Sequence, residues 1–156
     1  MRRRILLLLA TAAVAAGIGS WLVFRGGGGR HDPTPSAYLA QVSSICRGFA
    51  RLLAQVPGPS DLAAYGEVES SLSAALPLMR AQSVAMESVR APGTLQPRLK
   101  RLFALSHRSL VDLTQALAAA RRRDLGAMGR GLVESARLRA REHDLAVAIG
   151  IRCNVD

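Results

Sequence analysis

The side chains best suited to ligation or redox chemistry in this sequence of 156 residues are two cysteines, Cys46 and Cys153, and three histidines, His31, His107 and His143. The cysteines are too far apart for a Cys-x-x-Cys redox motif. An even number in a chain that carries an export signal points instead to one structural disulfide between Cys46 and Cys153; the alternative is two separate thiols. Such a bridge requires the C-terminal tail to lie along the first helix near its middle. The histidines fall in different segments. Metal sites in helical bundles use Glu-x-x-His pairs, whereas Glu142 directly precedes His143, so the two side chains leave the helix in different directions. A haem held by Met79 or Met86 and a histidine is the remaining cofactor geometry, but methionine at core spacing reads as core filler. No metal or cofactor is therefore assigned. Nor is there a nucleophile with an identifiable base: Gly-x-Ser-x-Gly and phosphate-loop patterns are missing, and residues 26–29 are a glycine linker. Ser43, Ser44, Ser70, Ser71 and Ser73 read as small residues on helix surfaces or at close helix contacts. The sequence reads as a non-enzyme.

Charge is the other source of chemistry. The formal net charge is +10, but Arg2, Arg3, Arg4, Arg25 and Arg30 flank an apolar segment and serve topology, and setting them aside halves it. Nearly every basic residue is arginine, which with abundant Ala and Gly reflects GC-rich codon usage more than phosphate recognition. No patterned basic stripe or nucleic-acid motif is present, so no nucleic-acid partner is expected. The one concentrated feature is Arg121, Arg122 and Arg123 with Arg130, followed by Arg137, Arg139 and Arg141. It is a candidate interaction face, set against the plainer reading of a solvated helix face partly neutralised by Glu134, Glu142 and Asp144.

The elements that would position these residues begin with the uncharged run that starts at Ile5 and ends at Phe24. At about 1.5 Å per residue it makes about 30 Å of helix, the thickness of a bilayer core. Arg2, Arg3 and Arg4 before it keep the N-terminus cytoplasmic, so residues 1–25 form a signal-anchor and everything after is exported. The rival is a signal peptide cleaved among the small residues 12–17, with secretion of the remainder. Residues 26–35, rich in Gly and Pro, form a tether.

Residues 36–156 then form one extracytoplasmic domain. Aromatic residues are 4% of the chain, and the hydrophobic spacing is helical throughout, so the fold class is all-α. Thr34 and Pro35 open a first helix with Tyr38, Val42, Ile45, Phe49, Leu52 and Val56 as its seam, stopped by Pro57, Gly58 and Pro59. Ser60 caps a second, carrying Leu62, Tyr65, Val68, Leu72, Leu76, Met79, Met86 and Val89, with a kink or break expected at Pro77. Thr94 caps a third, with Leu95, Leu99, Leu102, Leu110, Leu113 and Leu117 inward. Asp124 caps a fourth, with Leu125, Met128, Leu132, Leu138, Leu145 and Ile149 as core and Gly150 as terminator. Its seam is the least regular, because Glu134, Glu142 and several arginines interrupt it. Short connections favour an up-down-up-down four-helix bundle.

With its anchor, the helix-borne Cys46 and the terminal Gly150-Ile151-Arg152-Cys153, the chain resembles the small exported, disulfide-closed helical-bundle proteins of high-GC bacteria, most of which have no assigned function. The resemblance is one of layout over residues 36–153 and implies no catalytic residues. The expectation is a membrane-anchored interaction or scaffold protein of the cell envelope, contacting another envelope protein or an anionic polymer. The alternative is a small-ligand or cofactor carrier with a bundle cavity beside Pro77.

Overall fold

The computed structural model describes residues 32–153. It is all-α: α1 spans Pro35–Leu53, α2 Tyr65–Glu87, α3 Gln96–Arg121 and α4 Leu125–Ile149. Among the described residues no helix is long and apolar enough to cross a membrane. The anchor expected over residues 5–24, most of the tether and His31 lie outside the described residues.

Local chemistry sets most helix ends. Thr34 Oγ1 accepts from the Ala37 amide at 3.3 Å with Pro35 in the first turn, and Asp124 Oδ1 accepts from the Ala127 amide at 2.9 Å. Each thereby satisfies one of the amides that a helix N-terminus leaves open. Gly150 ends α4 at φ 100°, a left-handed conformation that glycine adopts without steric cost. Arg123 adopts φ 57° just beyond α3, and the Asp124 amide bonds back to Ala119 O at 3.0 Å. A side chain there costs about 1–2 kcal/mol relative to right-handed backbone.

Two expected starts move. Asp61 Oδ1 accepts from the Ala63 amide at 2.9 Å, folding residues 61–64 into a turn, so α2 begins at Tyr65 rather than after Ser60. Ser60 is engaged elsewhere: its amide and hydroxyl donate to Glu67 Oε2 at 2.7 and 2.8 Å. Those bonds hold the Glu67 carboxyl below its ordinary range. Likewise α3 begins after Leu95, which has no side-chain cap, instead of at a Thr94 cap. Pro77 interrupts nothing: α2 runs through it unbroken, with one ladder hydrogen bond forgone.

Neighbouring helices are antiparallel, as the side-chain bridges show. Gln82 of α2 reaches Cys46 while Ser71 reaches back to Pro57 after α1. Between α2 and α3 the pairs are Glu87 with His107, Arg80 with Thr114 and Glu69 with Arg121. The hydroxyls of Ser109 and Ser135 share a buried hydrogen bond of 2.9 Å between α3 and α4. This last pair of helices packs closest, through Ala116, Gly131, Ser109 and Ser135.

The ring is not closed by helix on helix. No Cα of α1 lies within 8 Å of a Cα of α4, and the same holds for α2 with α4. The short α1 also covers only one end of the bundle. Its Tyr38, Val42, Ile45 and Cys46 pack with Met86, Leu99, Leu102, Ala146, Ile149 and Ile151. At the other end Val68, Ala119, Ala120 and Met128 form a core of α2, α3 and α4 alone, and so do Leu76, Leu110 and Leu113 with Leu132. Three expected core residues are therefore exposed: Leu52, at the uncovered end of α1, Leu62, in the connecting loop, and Leu125, at the start of α4.

What closes α1 against the rest is the C-terminal tail. Ile151 is buried, the Arg152 amide donates to Ser43 Oγ at 3.0 Å, and Cys153 is bridged to Cys46 with their Cα atoms 5.0 Å apart. The sequence expectation of one disulfide with the tail alongside the middle of α1 matches this arrangement. The bridge fixes the tail, not the fourth helix itself, against the first.

Candidate functional site

The gap left between α1 and α4 is a cavity of about 190 Å³. Its walls come from every element: Ala50 and Leu53 of α1, Met79, Gln82 and Met86 of α2, Phe103 and Ser106 of α3, Arg139, Glu142 and His143 of α4, with Ile151 and Cys153 of the tail closing one end. Its existence follows from the spacing described above, since helices in direct contact would have filled it with interdigitated side chains.

Glu142 is the residue that sequence reasoning undervalued. On α4 the inward positions are Met128, Gly131, Ser135, Leu138, Ala146 and Ile149, and the helical repeat places Glu142 in that same row. A carboxyl thus occupies a position where the pattern calls for an apolar side chain. The irregularity of the fourth seam was visible in the sequence; its cause is that Glu142 faces a cavity and not a packed core. It is half-buried. Burial pushes its carboxyl above the ordinary range, while the charge of Arg139 and a hydrogen bond from Ser106 act in the opposite direction.

Every ionisable side chain on the cavity wall belongs to α4. The walls from α1, α2, α3 and the tail contribute sulfur, amide, hydroxyl and hydrocarbon groups. Arg139 lies across the mouth with its Nη1 3.5 Å from Met79 Sδ of α2. Neither Arg139 nor Glu142 makes an ion pair with any described residue. Among the described residues no group of three His, Cys, Asp or Glu side chains is arranged to hold a metal ion. His107 is engaged with Glu87 at 2.7 Å, and His143 sits at the cavity without a second ligand of its kind. Met79 and Met86, the methionines of the haem alternative, both line the cavity.

A pH dependence follows from Glu142. Because its folded-state pKa is raised, the protein binds that proton more tightly when folded. The associated stability is complete below the ordinary carboxylate pKa and is lost as pH rises through the folded value. Arg139 of α4 and Ser106 of α3 act on it directly, and His143 of α4 and Gln82 of α2 share the cavity wall with it. Thermal melts of Glu142→Gln and wild type are expected to coincide near pH 4 and to diverge by pH 8, with the variant the more stable. Equal separation at both pH values would show that the carboxyl is not desolvated.

The expected arginine face is only partly assembled. Arg122 and Arg130 line a solvent-open groove between α3 and α4, together with Asp112 and Glu134. Arg130, Arg137 and Arg141 share the outer face of α4 by their spacing, and Arg137 is paired with Glu134 at 3.2 Å. Arg121 instead turns to α2, where it bonds Glu69 at 3.0 Å. Arg123 sits in the turn after α3. The six are all exposed, but interleaved carboxylates dilute the field they make.

Compared with known proteins, the chain matches no family model, no curated protein and no solved structure.

Proposed function

We propose that this chain is a non-enzymatic binding protein that holds a small ligand in the cavity between α1 and α4. The observation that carries this reading is the half-buried carboxyl of Glu142, placed in the apolar seam of α4 and facing open space. Burying an ionisable group is costly, and groups whose ionisation is shifted by burial cluster at binding and catalytic sites. A dry cavity of about 150 Å³ accepts a molecule the size of benzene, so about 190 Å³ suits a compact metabolite. An extracytoplasmic setting for the domain is in keeping with the Cys46 to Cys153 bridge and with the signal-anchor read over residues 5–24.

Native mass spectrometry of the full chain, taken in detergent from an oxidising compartment, tests this. A stoichiometric small-molecule adduct, shed on denaturation and missing from the cavity-filling variant Ser106→Leu, is the expected result. A bare polypeptide mass, with no melting shift across a panel of small metabolites, would sink the carrier reading.

A scaffold role is a second reading, favoured by one observation: Arg122, Arg123, Arg130 and Arg141 are exposed and make no ion pair with any described residue. They would face an envelope protein or an anionic polymer. Reversing Arg130, Arg137 and Arg141 to glutamate is expected to release such a partner; partners that stay bound rule out this face.

A further inference from the structure

We infer that the ligand class of this cavity is a small zwitterion with an apolar body, such as an aliphatic α-amino acid, its ammonium against Glu142 and its carboxylate against Arg139. The inference rests on the carrier reading and gives the cavity its chemistry.

Arg139 and Glu142 are three residues apart on one helix, where side chains of opposite charge can meet, more readily when the acid comes first. Glu134 and Arg137, at the same spacing but with the acid first, do meet, at 3.2 Å. Arg139 and Glu142 do not. Arg139 is drawn instead across the mouth to the sulfur of Met79, a weak acceptor that leaves most of the guanidinium donors free. Two opposite charges thus stand on one wall, close enough for Arg139 to act on the Glu142 carboxyl but not in contact with it or with any other charged group among the described residues. Their Cβ atoms, at helical spacing, are about 5–6 Å apart. That places the two charged heads within reach of the two ends of one α-amino acid.

The opposite walls fix the rest of the ligand. They carry Leu53, Met79, Met86 and Phe103 and no charge, so a ligand with its ionic end on α4 turns its other end into hydrocarbon and thioether. Gln82 and Ser106 supply an amide and a hydroxyl between the two zones. A purely cationic ligand would leave Arg139 facing it, and a purely anionic one would meet Glu142. A neutral zwitterion satisfies both, and its size fits about 190 Å³.

The test is calorimetric titration of the oxidised full chain at pH 7.5 with L-leucine and with three analogues of similar bulk: 3-methylbutylamine, 4-methylpentanoate and 4-methylpentanamide. L-leucine is expected to bind at least tenfold more tightly than any analogue. Glu142→Gln and Arg139→Gln should each lose tenfold or more while melting cooperatively, and Arg139→Lys should recover part of the loss. Binding of the amine equal to that of leucine, or undiminished leucine binding by Arg139→Gln, overturns the zwitterion while the carrier reading stands. Binding of the uncharged amide alone does the same. If none of the four binds but wild type carries an adduct that Ser106→Leu lacks, the ligand class falls and the cavity remains a site; absence of that adduct as well removes both.

Discussion

Oxidised wild type is expected to resist urea by about 4–5 kcal/mol more than the double variant Cys46→Ser, Cys153→Ser. The bridge closes a sequence separation of 107 residues, and the chain-entropy treatment of a loop near that length gives a value of this size. The effect is large here for a second reason. Ile151 and the bond from the Arg152 amide to Ser43 hold the tail against α1, and α1 has no close approach to α4. Without the bridge, only these contacts and the packing of α1 on Ala146 and Ile149 join the last segment to the first. Equilibrium urea unfolding followed by circular dichroism measures the difference. A loss under about 1 kcal/mol would mean that the tail stays docked by itself and that loop closure contributes little.

The second large effect belongs to the tightest contact in the fold. A Cβ on Gly131 would lie 2.9 Å from the backbone oxygen of Asp112 and 3.1 Å from Ala116 Cβ. Backbone cannot swing away as a side chain can, so α3 and α4 must separate. Overpacking of this kind costs about 1–3 kcal/mol. Gly129, two residues earlier on the same helix, has open space around its Cβ position. There alanine removes the entropic penalty of a helical glycine and gains about 0.5–1 kcal/mol. Gly131→Ala and Gly129→Ala are therefore expected to move the urea midpoint in opposite directions. Two stabilised variants would show that α3 and α4 have room between them.

The helical count and the principal caps were legible because their causes are local. Thr34, Asp124 and Gly150 act within a few residues of themselves, and the 3.6-residue repeat carried the seams. Boundaries failed where a side chain served a partner further off: Ser60 bonds Glu67, and Asp61 shapes a turn, so α2 starts later than the first capping residue suggests. The exposure of Leu52 and Leu62 was not legible, because periodicity gives the direction of a side chain and not whether a neighbour stands there. The disulfide was legible from the even number of cysteines together with the compartment expected from the N-terminal segment. The cavity, expected only as an alternative beside Pro77, does not include Pro77 in its lining: its place depends on how far apart α1 and α4 settle, a quantity fixed by the tail, by the small residues of α3 and α4 and by the length of α1 together. Glu142 left a trace, as a break in the seam of α4, but a break is equally the mark of a solvated face. Only the placement of α1, α2 and α3 around it distinguishes the two.

The wide separation of the bridged cysteines also sets a clock. A chain is made from its N-terminus, so Cys46 exists for the whole time needed to add the 107 positions that follow it. At about 5–20 residues per second, that interval is roughly 5–20 s. Until the last residues emerge, Cys46 is an unmated thiol on a half-built protein, open to mixed disulfides with any oxidant or neighbouring chain. The α3 and α4 hairpin is itself complete only at Ile149, four residues before Cys153. The disulfide is therefore the last covalent step, and α1 is sealed to the tail only once every other described helix has been made.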